Sequence, residues 1–179
     1  TKARPFYIVR DGELRIRDVQ YTPYTDGVPG CVGAIVTLRG TIVADSTLGM
    51  IYMQDGTDPW SGILLRGDAA IRTLGIGEDV TVTGKVAEGY SSGTNANTAL
   101  IDATVVTKHG MATVPAPIVL PTNTFESEVV RDGTPSAEQY EGMLVRFENL
   151  TVTTPNADAG AGSNFGEFGV TDGSGMMRV

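Results

Sequence analysis

The sequence predicts an all-β protein, and three observations carry that expectation. Gly, Pro, Thr and Val are abundant, with 23 Gly and nine Pro but only three Lys in 179 residues, a composition that favours short strands and tight turns over helices. Five Asp-Gly pairs, at residues 11, 26, 55, 132 and 172, punctuate the chain with the dipeptide that supplies the positive φ of hairpin turns. Between them, apolar and polar residues alternate with a period of two.

The elements follow in order. Val36, Leu38, Ile42 and Ala44 alternate with Thr37, Arg39, Thr41 and Val43, a strand with one buried face, and Gly40 midway predicts a bend or bulge. Residues 50–54 and 62–66 are apolar runs on either side of Asp55-Gly56-Thr57-Asp58-Pro59, which predicts a hairpin. Residues 68–74 predict a short helix, capped by Asp68 and closed by Gly75 and Gly77. Val80, Val82 and Val86 alternate with Thr81, Thr83 and Lys85, and residues 98–108 are again strand-like. Three strands, a short helix and two strands are the plan of a five-stranded OB-fold barrel, which buries its edges by closing.

Residues 114–121 hold three prolines and predict a linker; residues 136–140 predict a helical turn. A second strand series opens with Val145, Phe147, Leu150 and Val152, its parity slipping near Asn149 as at a bulge, and continues through residues 165–172 and 176–179. Gly49 to Gly56 corresponds to Gly166 to Gly173, each ending in Asp-Gly and followed by a second apolar run, so one supersecondary unit is expected twice. The organisation expected is an N-terminal extension (1–33), an OB-fold domain (34–110), a linker (111–135) and a partial second OB-like domain (136–179) that stops after its third strand.

Charge and chemistry narrow the function. The formal charge is -8, and residues 109–179 carry nine acidic against three basic groups, which disfavours a general nucleic-acid binder because that affinity comes from Lys and Arg on phosphates. Cys31 is the only cysteine, so no intrachain disulfide is available. No apolar run approaches the roughly 18 residues of a membrane span, and Thr1 opens no signal-peptide pattern. His109, the only histidine, has no second ligand or triad partner at a recognisable spacing. The glycine-rich residues 160–166 lack the Lys-Ser/Thr ending of a phosphate loop. A non-catalytic role is expected.

OB barrels bind through strands two and three and the neighbouring loops, which here offer Tyr52, Gln54, Trp60, Arg39 and Arg66 as the candidate ligand-binding residues. Aromatic rings beside Arg suit bases or, with Trp60 and Tyr90, sugars. The single cofactor expectation is a calcium ion held by Asp55 with Asp58, or by Asp158 with Asp172. Asn149-Leu150-Thr151 is a glycosylation sequon by pattern, set inside an expected strand.

Several phrases resemble the tandem OB-fold region of secreted bacterial nucleases and of surface proteins exported by type IX secretion. They are Leu-Arg-Ile-Arg-Asp-Val-Gln at residues 14–20, the first strand at 36–45, Met53-Gln54-Asp55 with Ser61-Gly62-Ile63, and residues 79–88. The most distinctive is Glu-Gly-Met-Leu-Val-Arg-Phe-Glu-Asn-Leu-Thr-Val at residues 141–152, similar to the phrase that opens that family's second barrel. The resemblance implies an accessory, extracellular module at the bacterial surface, with the nuclease's catalytic residues outside it. The partners expected are other copies or neighbouring domains held through exposed strand edges, or, as the alternative, single-stranded nucleic acid.

Overall fold

The computed structural model describes residues 14–23, 27–45, 50–88, 98–125, 135–158 and 165–179. The Asp-Gly turns at residues 11 and 132, Asp26, Tyr90 in the polar loop at 89–97, and Gly160 to Asn164 lie outside the described residues. The chain divides into two compact units, one of Thr1–Pro117 with Gln139–Leu144 and the other of Ile118–Glu138 with Val145–Val179.

The first unit is a closed OB-type barrel of strand order β1-β2-β3-β5-β4, built from β1 (Ile35–Ala44), β2 (Ile51–Gln54), β3 (Gly62–Gly67), β4 (Glu78–Ala87) and β5 (Ala99–Met111). All ladders are antiparallel except β3 with β5, the parallel pair that closes the barrel. Alternation selects the inward face: Val36, Leu38, Ile51, Met53, Ile63, Leu65, Val80, Val82 and Leu100 are buried in one apolar cluster. At roughly 25 cal/mol per Å2 of apolar surface removed from water, such burial is the main driving force for closure.

β1 serves both sides of the barrel, pairing with β4 through Ile35–Thr41 and with β2 from Thr41 onward. The register runs continuously through Gly40, and the irregularity falls between Ile42 and Ala44 instead. Gly40 is needed for another reason: a Cβ there would stand 2.6 Å from the Gln54 carbonyl oxygen, so only glycine lets β1 cross this close to β2.

The helix α2 (Ala69–Arg72) is the one expected at residues 68–74. The Asp68 carboxylate accepts the N–H groups of Ala70 (2.9 Å) and Ile71 (3.1 Å), and Ile71 and Leu74 are buried in the core.

The N-terminal residues depart from the expected extension. Residues 14–23 are part of the barrel: α1 (Ile16–Gln20) buries Ile16 and Val19 in the core, and Leu14 bridges to Leu38. Asp18 reaches back to the Arg15 N–H at 2.8 Å, and Asp55 accepts the Ile16 N–H at 2.9 Å, so this short helix is anchored from both sides. β5 also runs beyond the expected end at residue 108, which puts His109 within the strand, its Nε2 2.9 Å from the Thr81 hydroxyl.

In the second unit, the expected linker (111–135) and opening strand are both redrawn. β6 (Ile118–Val119) pairs in parallel with β7 (Val145–Arg146), and a 3-10 turn spans Thr122–Phe125. The irregularity expected near Asn149 is a full break and not a bulge: Asn149 adopts φ +56°, and pairing resumes only at β8 (Thr151–Thr154). β8, β9 (Gly169–Thr171) and β10 (Met176–Arg178) form an antiparallel sheet of order β10-β9-β8, the hairpin expected from residues 165–179. Its buried apolar side chains among the described residues are Leu120, Val170 and Met177, and Phe125 meets Phe147 edge-on at 5.8 Å.

Candidate interaction surface

With Ile51, Met53, Ile63 and Leu65 pointing into the barrel, the alternation of β2 and β3 puts Tyr52, Gln54, Leu64 and Arg66 on the outer face, where Tyr52 stands opposite Leu64 and Gln54 opposite Gly62. This is the face through which OB barrels ordinarily bind. Here much of it carries the chain's own residues Gln139–Leu144. The Leu144 N–H donates to Gln54 Oε1 at 2.6 Å, the Trp60 N–H donates to the Gln139 carbonyl at 2.6 Å, and the Thr98 N–H lies 3.1 and 3.2 Å from the two Glu141 carboxylate oxygens. Gly62 and Gly142 meet backbone to backbone; a Cβ on Gly62 would overlap the Gly142 carbonyl, and Gly142 itself sits at φ +67°.

Each ligand-binding candidate thus has a definite place. Gln54 is fully buried, its amide nitrogen donating to the Gly56 carbonyl at 2.9 Å while its oxygen takes Leu144, so it tethers the crossing segment. Trp60 adopts φ +74°, unusual for a bulky residue, and stands edge-on to Tyr21 at 5.6 Å. The Tyr52 hydroxyl donates to the Met50 sulfur at 3.3 Å. Arg39 grips Asp79 through two nitrogens at 3.1 and 2.7 Å, and this pairing holds the Asp79 carboxyl below the ordinary carboxylate range.

Arg66 stands apart from the other four, in a cleft of about 840 Å3 beside the β3–β5 ladder, which shifts register between Leu65 and Gly67. Arg66 and Arg72 share this cleft with Asp68 and Asp102. Two guanidinium groups against two carboxylates leave no formal excess of positive charge to attract a phosphate chain.

Three of the four calcium candidates are engaged by groups of the chain itself. Asp55 receives Ile16, and burial pushes its carboxyl up despite that bond; Asp58 is exposed on the β2–β3 turn. Asp158 is buried, accepts the Phe165 N–H at 2.8 Å and pairs with Arg178 at 2.7 Å. Asp172 accepts Ser174 N–H (2.9 Å), the Ser174 hydroxyl (2.6 Å) and the Thr122 hydroxyl (2.7 Å), bonds that hold its carboxyl far below the ordinary range. Asp158 and Asp172 sit at opposite ends of the β9–β10 hairpin, beside Arg178 and at the turn respectively, so they do not converge. Among the described residues no group of three or more His, Cys, Asp or Glu side chains is placed to hold a metal ion.

Sequence reasoning missed the role of Gln139–Leu144, because Glu141-Gly142-Met143-Leu144 reads as the start of a strand. The available signal was the pair of glycines, Gly62 and Gly142, both at points where only a bare backbone fits. Nor does comparison add a relative: no family model matches this chain, and neither the curated proteins nor the solved structures contain a significant match to it.

Proposed function

We propose that this chain is a non-catalytic structural and interaction module, one OB barrel followed by the first three strands of a second, from a secreted or cell-surface bacterial protein. The observation that carries this reading is the placement of Gln139–Leu144 on the outer face of β2 and β3. A face engaged by the protein's own backbone, with Gln54 spent on Leu144, serves as internal scaffolding.

Two further features support it. β8, β9 and β10 pair in the same order and sense as β1, β2 and β3, which suits a second copy of one plan. Among the described residues the sheet of β8, β9 and β10 is open, and unpaired strand edges are where partners add strands. The extracellular bacterial setting rests on the resemblance of residues 14–179 to secreted tandem barrels.

The alternative, a nucleic-acid-binding accessory domain, asks Trp60 to stack on bases and Arg39 to meet phosphates. Trp60 already packs on Tyr21 and Arg39 on Asp79. Titration of labelled single-stranded DNA at low salt with the full chain is expected to show no binding at tens of micromolar protein. Sedimentation velocity is expected to show association that grows with concentration. Saturable DNA binding by a strictly monomeric protein would replace the first reading with the second.

A further inference from the structure

We propose that the cleft between β3, β5 and α2 binds a short zwitterionic peptide with aliphatic side chains. This adds a binding role to the scaffolding read from the β2–β3 face and depends on no part of it.

The cleft is built around a defect in the closing ladder. Leu65 pairs with Leu100 and Gly67 with Ala103, so Ile101 and Asp102 together stand opposite the single residue Arg66. This is the two-against-one count of a β-bulge, and Asp102 takes a left-handed backbone there, at φ +51°. Beyond the bulge the strands close again. A Cβ on Gly67 would overlap the Ala103 carbonyl, the Asp68 N–H donates to that same carbonyl at 3.2 Å, and the Asp68 carboxylate caps α2. Ladder, bulge and capped helix thus frame a cleft of about 840 Å3, within the range of small-ligand sites.

The lining selects the class of ligand. Ile51, Leu64, Leu65 and Ile71 form an aliphatic backing, and among the described residues no aromatic ring lines the cleft. Bases stack on aromatic rings and sugars pack their C–H faces on them, whereas an aliphatic side chain needs only an apolar wall.

The polar groups are of both signs. Asp68 is spent on the Ala70 and Ile71 N–H groups. Arg72 and Asp102 are exposed, and their side chains make no hydrogen bond or ion pair with any described residue. A guanidinium forks a carboxylate and a carboxylate takes an ammonium, so the two match the two ends of an unblocked peptide. A phosphate chain or a polycation would meet a like charge in the same place.

NMR titration of the isotope-labelled full chain with the tripeptide Leu-Ala-Leu tests this. Saturable shifts are expected at the Gly67, Asp102 and Ala103 amides with a Kd of about 1 mM or tighter, and acetylating the peptide's N-terminus or amidating its C-terminus is expected to weaken binding about tenfold. Asp102→Asn keeps a residue that tolerates the left-handed backbone; it should bind the unblocked peptide about tenfold more weakly and no longer distinguish a free from an acetylated N-terminus. Arg72→Gln should lose the response to C-terminal amidation in the same way. The proposal is overturned by no saturable shift at about 10 mM peptide, by shifts confined to amides outside the cleft, by equal binding of blocked and unblocked peptides to the wild-type chain, or by tighter binding of maltotriose at the same amides. Should either variant fail to fold, the blocked peptides on the wild-type chain decide between these outcomes.

Discussion

Both units contain a three-stranded antiparallel meander, β1-β2-β3 in one and β8-β9-β10 in the other, but among the described residues only the first is closed. In the barrel, β4 and β5 complete a ring around a continuous apolar cluster to which α1 and α2 add Ile16, Val19, Ile71 and Leu74. In the second unit the buried apolar set is small, and polar knots hold the turns: Thr122 and Ser174 gather on Asp172, and Arg178 with the Phe165 N–H on Asp158. Closure concentrates stability in a shared core; an open sheet must take it from local hydrogen bonds, each with a net worth of about 1 kcal/mol.

Truncating the barrel core should break this contrast most sharply. Leu100→Ala, at a fully buried site, is expected to cost about 2–5 kcal/mol in urea unfolding, and Met177→Ala in the smaller cluster less. Equal losses would mean the two cores are equally important.

The segment on the β2–β3 face comes next. Gly62→Ala forces a methyl against the Gly142 carbonyl and should cost about 1–3 kcal/mol. Gln54→Ala strands the Leu144 N–H and should cost about 1–3 kcal/mol. Both should accelerate hydrogen exchange at the Leu144 amide; unchanged exchange would show that the segment is held by something else.

A smaller effect tests the polar knot. The Asp172 carboxyl titrates below its ordinary range when folded, so its contribution is fully present above the unfolded pKa of about 4 and is lost as pH falls toward the folded value. Acid unfolding of the second unit should therefore become less steep with pH in Asp172→Asn, while neutral-pH stability drops. Smallest of all, Arg39→Ala removes an ion pair whose Arg partner is 60% exposed, and about 0–1 kcal/mol is expected from thermal melts, shrinking further in salt.

Most of the barrel was legible in the sequence because its signals are local. Period-two alternation in Val36 to Ala44 and Val80 to Ala87 and the Asp68 cap each depend on neighbours a few positions away, and each forms as expected; the hairpin at residue 55 also forms, though its positive φ falls on Trp60 and not on Gly56. Tyr52, Gln54 and Arg66 fall on the outer face of β2 and β3, as their alternation implies, yet what lies on that face was not legible. Gln54 and Leu144 are ninety positions apart, and nothing in either neighbourhood announces the bond between them. The slip in alternation at Asn149 did mark an irregularity, but not its extent: a left-handed residue ends strand pairing where a bulge would have let it continue.

By itself, then, the sequence determined where strands, turns and the capped helix form, since these follow from side-chain periodicity and backbone preference over short distances. Only the tertiary structure decided that residues 14–23 complete the barrel core, that Gln139–Leu144 occupy its outer face, and that Asp158 and Asp172 serve separate turns. Those outcomes depend on which backbone groups find partners across long stretches of chain, and a buried N–H or carbonyl is satisfied by proximity in space, which no local pattern encodes.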